Sequence, residues 1–122
     1  MREILVDSSA VIRALDGSAD ERLSSVLADC IPIISIIAYA EVTRYFVRNK
    51  SEAEWSGVKS DLCKFRILGM DAETCEIAAK NAKTFGLSLA DSLIYATAIR
   101  NGLPLLTCDA DFKGKKDVIY VK

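Results

Sequence analysis

No histidine occurs anywhere in the 122 residues. That absence excludes Ser-His-Asp and Cys-His catalysis, the HExxH metalloproteases and every imidazole zinc site. Glycine is thinly spread: Gly17, Gly57, Gly69, Gly86, Gly102 and Gly114 are never closer than twelve residues apart. A GxGxxG turn or a P-loop gathers its glycines in one turn, so both phosphate cradles are excluded. The four cysteines, Cys30, Cys63, Cys75 and Cys108, form no CxxC pair. They read as reduced, buried, structural thiols. Charge of either sign is not in excess, with a net of −1, so any attraction to nucleic acid must be local. Long apolar runs are also missing. The most apolar stretch, Ile31 to Ala40, is broken by Pro32 and Ser35, and a bilayer span takes ~20 residues. The N-terminus reads Met1-Arg2-Glu3-Ile4-Leu5-Val6-Asp7, with a run of only three apolar residues before Asp7, which is unlike a secretory leader. The expectation is a soluble cytoplasmic protein whose acid, base and ligand work falls to carboxylates, Lys, Tyr or Cys.

What is present is globular: 51% hydrophobic and 27% charged residues, which argues against disorder. No repeat or linker-like run divides the chain, so one domain over residues 1–122 is expected. Short apolar runs at Ile4–Val6, Ile31–Ile34, Phe65–Leu68, Leu105–Thr107 and Val118–Val121 read as strands buried on both faces. Helical stretches alternate with them. Helices are expected near Ser9–Leu15 and Asp20–Ala28, from a Ser35 cap to about Val47, and after the Ser51–Glu54 capping box. Two more run from Asp71 to Phe85, stopped by Gly86, and from Ser88 to Asn101. Strands alternating with helices predict an α/β fold, a mostly parallel sheet of about five strands with helices on both faces.

In such sheets ligands bind outside the carboxyl ends of the strands. Two strand ends here carry acids. Ile4-Leu5-Val6 runs into Asp7, and Leu105-Leu106-Thr107-Cys108 runs into Asp109 and Asp111. Two further acids, Glu41 and Asp91, sit within apolar segments, where an unpaired carboxylate costs several kcal/mol. Each acid also has an ordinary reading. Asp7 can cap the following helix. Glu41 can pair with Arg44 at i+3, both lying off an apolar stripe of Ile36, Tyr39, Ala40, Phe46 and Val47. Asp91 fits the third position of a capping box begun by Ser88, and Asp109 and Asp111 can form a turn.

Taken together, four segments resemble the motifs of the PIN-domain nucleases. They are Asp7-Ser8-Ser9-Ala10-Val11-Ile12, Tyr39-Ala40-Glu41-Val42, Leu87-Ser88-Leu89-Ala90-Asp91-Ser92-Leu93-Ile94, and Thr107-Cys108-Asp109-Ala110-Asp111-Phe112. Their order and spacing cover essentially the whole chain. One departure is Cys108, where relatives often carry Arg. The resemblance implies that Asp7, Glu41, Asp91 and Asp109 converge at one sheet edge, with Asp111 as an optional fifth acid. Two like charges ~4 Å apart repel by ~4 kcal/mol at an effective dielectric of ~20, so such a cluster calls for a counter-ion. An all-oxygen set selects Mg²⁺ or Mn²⁺, one or two ions, over Zn²⁺.

The implied activity is metal-dependent hydrolysis of RNA phosphodiesters. Asp7, Asp91 and Asp109 would be ligands, and Glu41 a ligand or the group orienting water. Ser8 and Thr107 would fix the carboxylates. Two divalent ions would move the net charge to about +3, and Arg44 and Arg48 would then meet backbone phosphates or simply form a solvated face. Lys113, Lys115 and Lys116 read as a solvated turn. The compact chain is also similar to the toxins of VapBC toxin–antitoxin pairs, which implies a homodimer held by a small antitoxin protein. A housekeeping RNA-processing nuclease and a non-catalytic binding module of the same fold are the alternatives. A receiver domain is disfavoured because Asp7 is single and no Lys follows Thr107. A haloacid-dehalogenase-type phosphatase is disfavoured because only eleven residues follow Asp111.

Overall fold

The computed structural model describes all 122 residues. Strands β1 (Arg2–Val6), β2 (Cys30–Ser35), β3 (Arg66–Leu68), β4 (Leu105–Thr107) and β5 (Val118–Tyr120) form one sheet in the order β3-β2-β1-β4-β5. Every neighbouring pair is parallel. Helices α1 (Ser8–Asp16) and α2 (Glu21–Ala28) connect β1 to β2. Helices α3 (Ile36–Asn49) and α4 (Glu52–Leu62) lead to β3, and α5 (Ala72–Phe85) and α6 (Leu89–Arg100) lead to β4. The chain winds from β1 outwards to β3, then returns to β4 on the other side of β1. Right-handed crossovers therefore place helices on both faces. The fold is α/β, as expected, and every expected strand and helix forms within one or two residues of its expected ends.

Local chemistry accounts for the boundaries. The side chains of Asp20, Ser35, Ser51, Asp71 and Ser88 each accept a backbone N–H at the start of a helix. Gly17 and Gly86 close α1 and α5 in the left-handed region, at φ 84° and 67°, which a residue without Cβ reaches cheaply. Pro32 lies in an interior strand yet costs little, because β3 pairs only with Ile33–Ser35 and leaves β2 open beside Pro32.

The core gathers Ile4, Leu5 and Val6 of β1, Ile33 and Ile34 of β2, Leu105 and Leu106 of β4, and Phe46, Leu62, Ile94 and Phe112 around them. Three expectations need correction. Only the central strands are buried on both faces, since Arg66 and Ile67 of edge strand β3 are exposed and β5 is half-buried. The buried stripe of α3 is Ala38, Val42 and Phe46, spaced by four. Ile36, Ala40 and Val47, expected inside, face solvent. Apolar composition all round this helix hid which stripe the sheet would take. Finally, Cys30 and Cys108 are buried but Cys63 and Cys75 are exposed, and all four are free thiols.

Candidate metal centre

The reversal of strand order falls between β1 and β4, and the carboxyl ends of these two strands deliver Asp7 and Asp109 to the same crevice. Asp7 follows β1 directly and is 2% exposed. It stands at the N-cap position of α1, but its side chain caps nothing. Oδ2 instead accepts hydrogen bonds from Ser9 Oγ (2.8 Å) and Thr107 Oγ1 (2.7 Å). Oδ1 is buried with no protein partner at all. A buried carboxylate oxygen without a donor costs free energy, and a bound cation or an ordered water would satisfy it. Burial pushes the Asp7 carboxyl above the usual range, and Asp109 adds to this. The Thr107, Ser9 and Ser8 hydrogen bonds pull the other way.

The remaining acids arrive from α3, α6 and the β4 loop. Glu41 is half-buried on α3, and its Oε1 accepts from Ser8 Oγ at 3.0 Å. It makes no ion pair with Arg44 within 4 Å, so the ordinary pairing is not what holds it. Burial raises its pKa, and Asp7 and Asp109 contribute; Ser8 and Arg44 oppose. Asp91 lies in the first turn of α6, where its backbone N–H donates to Ser88 Oγ at 3.1 Å. The ordinary capping interaction exists, but it uses the Asp91 backbone and leaves the carboxylate for the crevice. Burial first, then Asp7 and Asp109, push the Asp91 carboxyl up to about 6, with Glu41 adding a smaller push. These mutual effects place Asp7, Glu41, Asp91 and Asp109 in one electrostatic cluster.

Within the cluster, oxygen atoms of Asp91, Asp109 and Asp111 come within 4.8 Å of one another. Asp111, only an optional fifth acid by sequence, is thus part of the tightest group, while Asp7 and Glu41 are not. Asp109 Oδ1 accepts the Asp111 N–H at 2.9 Å, starting a turn of 3-10 helix at Ala110–Phe112, so the turn reading also holds. The donor set is all oxygen, with four carboxylates coupled to one another and one bare buried oxygen. Those residues fit a hard divalent cation such as Mg²⁺ or Mn²⁺.

The hydroxyl support is split between two serines. Ser8 holds Glu41, whereas Ser9 holds Asp7, also accepts the Cys108 N–H at 3.0 Å, and lies 3.3 Å from Thr107 Oγ1. Thr107 in turn accepts the Asp109 N–H at 3.0 Å. Ser9 was not singled out by sequence for this role. Its signal was its spacing two residues past the acid that ends β1, the reach of an Asx-type contact.

Around Glu41 lies an open groove of about 530 Å³ lined by Ser8, Ile12, Arg44, Tyr45, Arg48 and Asn49. Neither arginine is in an ion pair. On the other side, burial raises the Cys108 thiol pKa while the neighbouring Arg13 guanidinium lowers it. Lys113 and Lys115 lie against the Tyr120 and Phe85 rings, in keeping with a surface turn.

A parallel α/β sheet with a carboxylate cluster at its switch point defines a class of acidic-centre domains. The sequence matches the PIN domain over residues 4–117, and the chain belongs to that family. Solved structures agree. A toxin–antitoxin complex from Klebsiella pneumoniae superimposes with a TM-score of 0.82 at 23% identity, covering 96% of each chain. FitAcB from Neisseria gonorrhoeae gives 0.77 at 25% identity, over 98% of this chain and 96% of that one. Mycobacterium tuberculosis VapC20, a sarcin-ricin-loop-cleaving toxin, gives 0.76 at 18% identity, over 93% and 95%. At such identities the likeness carries the fold. No curated protein matches the sequence significantly.

Proposed function

We propose that this chain is a Mg²⁺- or Mn²⁺-dependent endoribonuclease and the toxin of a toxin–antitoxin pair. The observation that carries the chemistry is the bare, buried Oδ1 of Asp7 among three other coupled carboxylates. Asp7, Asp91 and Asp109, with Asp111 beside them, would hold one or two ions. Such ions, when bound, lower the pKa of water and neutralise charge on a phosphodiester. Ser9 and Thr107 fix Asp7 so that Oδ1 stays directed to the crevice. Ser8 fixes one oxygen of Glu41 and leaves the other to orient a water and take its proton. One P–O bond then forms from that water and one P–O bond to the leaving oxygen breaks. Arg44 and Arg48 meet phosphates of the strand.

The partner reading rests on the relatives, several of which are toxin–antitoxin complexes. Sedimentation of the purified chain is expected to show a homodimer; monomer alone would refute that part.

The catalytic reading is tested with single-stranded RNA in Mn²⁺. The wild type is expected to make internal cuts that chelation abolishes. Asp109→Asn is expected to lose more than the roughly 10–100-fold that removing a supporting partner costs. Cleavage unchanged by either treatment would refute the reading. So would absence of cleavage across varied RNAs together with absence of metal binding.

A further inference from the structure

Cations lie on both sides of β1: Arg44 and Arg48 line the groove around Glu41, and Arg13 lies beside Cys108, the residue before Asp109. Strands β2 and β4 flank β1, and each continues into a segment that meets α1. On the β2 side, Ser8 and Ile12 of α1 face α3 across the groove that holds Arg44 and Arg48. These arginines are four apart, so they share one helical face. On the β4 side, Ser9 bonds to the Cys108 N–H. Arg13 lies one turn beyond Ser9 on the same face of α1, half-buried beside the Cys108 thiol. Asp7, which Ser9 and Thr107 hold, separates the two sides.

Arg13 has no carboxylate within 4 Å, although the centre and Asp20 are close enough to influence the same thiol. A guanidinium that pairs with no carboxylate keeps its charge for an anion. It also lies in the last turn of α1, where any cation complements the helix dipole. That ordinary role would not respond to nucleic acid.

We infer that Arg13 and the Arg44–Arg48 groove are two separate phosphate subsites, so that a single-stranded backbone crosses the acidic centre with phosphates bound on each side. The inference rests on the nuclease reading and adds to it. Recognition at both flanks is by charge and geometry along the backbone. Internal cleavage follows, since a strand end would leave one flank empty.

The test is binding of a fluorescein-labelled 12-nucleotide oligouridine to the full chain in Ca²⁺ buffer, by anisotropy across a salt series, with gels confirming intact strand. Each phosphate contact contributes about −0.7 to the slope of log K against log salt for a single strand. Arg13→Gln is expected to make the slope shallower by about 0.7 and to weaken low-salt binding about tenfold. Arg44→Gln with Arg48→Gln is expected to remove about 1.4, and the triple variant the sum of both effects. Arg13→Lys is expected to keep the slope. A uridylyl dinucleotide, with one phosphate, cannot engage both flanks and is expected to bind wild type and Arg13→Gln less differently than the 12-mer does.

An unchanged slope for Arg13→Gln overturns the two-flank inference. If that variant still binds Mn²⁺ by calorimetry and cleaves RNA, the nuclease reading survives alone. If wild type binds neither oligonucleotide nor Mn²⁺, both fall. An acidic peptide that binds more tightly than an oligonucleotide of equal charge, and loses that advantage in Arg13→Gln, assigns the flank to a protein partner and overturns the inference.

Discussion

At the residue scale, Asp7 and Asp91 carry most of what is distinctive. Asp91 is raised to about 6, chiefly by burial and then by its acidic neighbours. A carboxyl whose folded pKa lies above its unfolded one destabilises the fold when charged. That cost is complete above about pH 6 and disappears as the pH falls towards the unfolded value near 4. Asp7 and Glu41 are shifted in the same direction. Metal-free protein is therefore expected to melt higher at pH 5 than at pH 7, the reverse of the usual acid trend. Asp91→Asn should raise the melting temperature at pH 7 in chelator, by roughly 3–6 °C for each kcal/mol of repulsion removed, and flatten the pH dependence. A large drop instead would mean that the carboxylate chiefly supports the helix start. Ser9→Ala removes a donor to Asp7 and is expected to weaken Mn²⁺ binding about 10–100-fold, whereas Ser8→Ala, acting through Glu41, should affect turnover more than metal affinity.

The four acids were legible as residues because Asp7 and Asp109 end apolar strand runs and Glu41 and Asp91 interrupt apolar segments. Less legible was the use each makes of its two oxygens. Asp7 occupies a cap position without capping, and Asp91 joins a capping box through its backbone alone. The Asp7 outcome depends on Ser9 and Thr107, which lie 98 residues apart in sequence and meet only in the folded sheet.

At the scale of elements, caps and stops carried the reading. Ser35, Ser51, Asp71 and Ser88 act at the helix starts where their types place them, and Gly86 ends α5. The α3 stripe was misread because every third or fourth residue there is apolar on more than one face. Only contact with the sheet selects Ala38, Val42 and Phe46. Asp71 also anchors an inter-helix network: it receives Thr74 N–H and hydroxyl, and Arg100 of α6 reaches both Asp71 (3.2 Å) and Glu73 (2.8 Å). The Thr74 hydrogen bonds, more than Arg100, hold the Asp71 carboxyl below its ordinary value. Its stabilising effect is therefore present above that value and lost as the pH falls through the lower folded pKa. Asp71→Asn should narrow the difference in stability between pH 5 and pH 2, with little effect at the metal centre. An unchanged acid limb in urea titrations would contradict this.

For the whole molecule, the strand order explains why one edge concentrates the chemistry. Reversal between β1 and β4 opens a crevice at their carboxyl ends, and α3 and α6 bring Glu41 and Asp91 to it from either face. The parallel sheet followed from alternating strands and helices. The winding order, which decides that β1 and β4 are neighbours, has no local signal and comes from the packing of all five strands. A fold carrying an acidic cluster is expected to gain stability from a divalent ion that binds only the native state, about 2.7 kcal/mol at a hundredfold excess over Kd.

Calorimetric titration of Mn²⁺ into wild type and Asp7→Asn tests the central claim most directly, because it needs no knowledge of the RNA. Saturable binding to the wild type that the substitution abolishes is the expected result. Absence of binding to the wild type at millimolar Mn²⁺, or equal binding to both proteins, would contradict a metal centre built on Asp7.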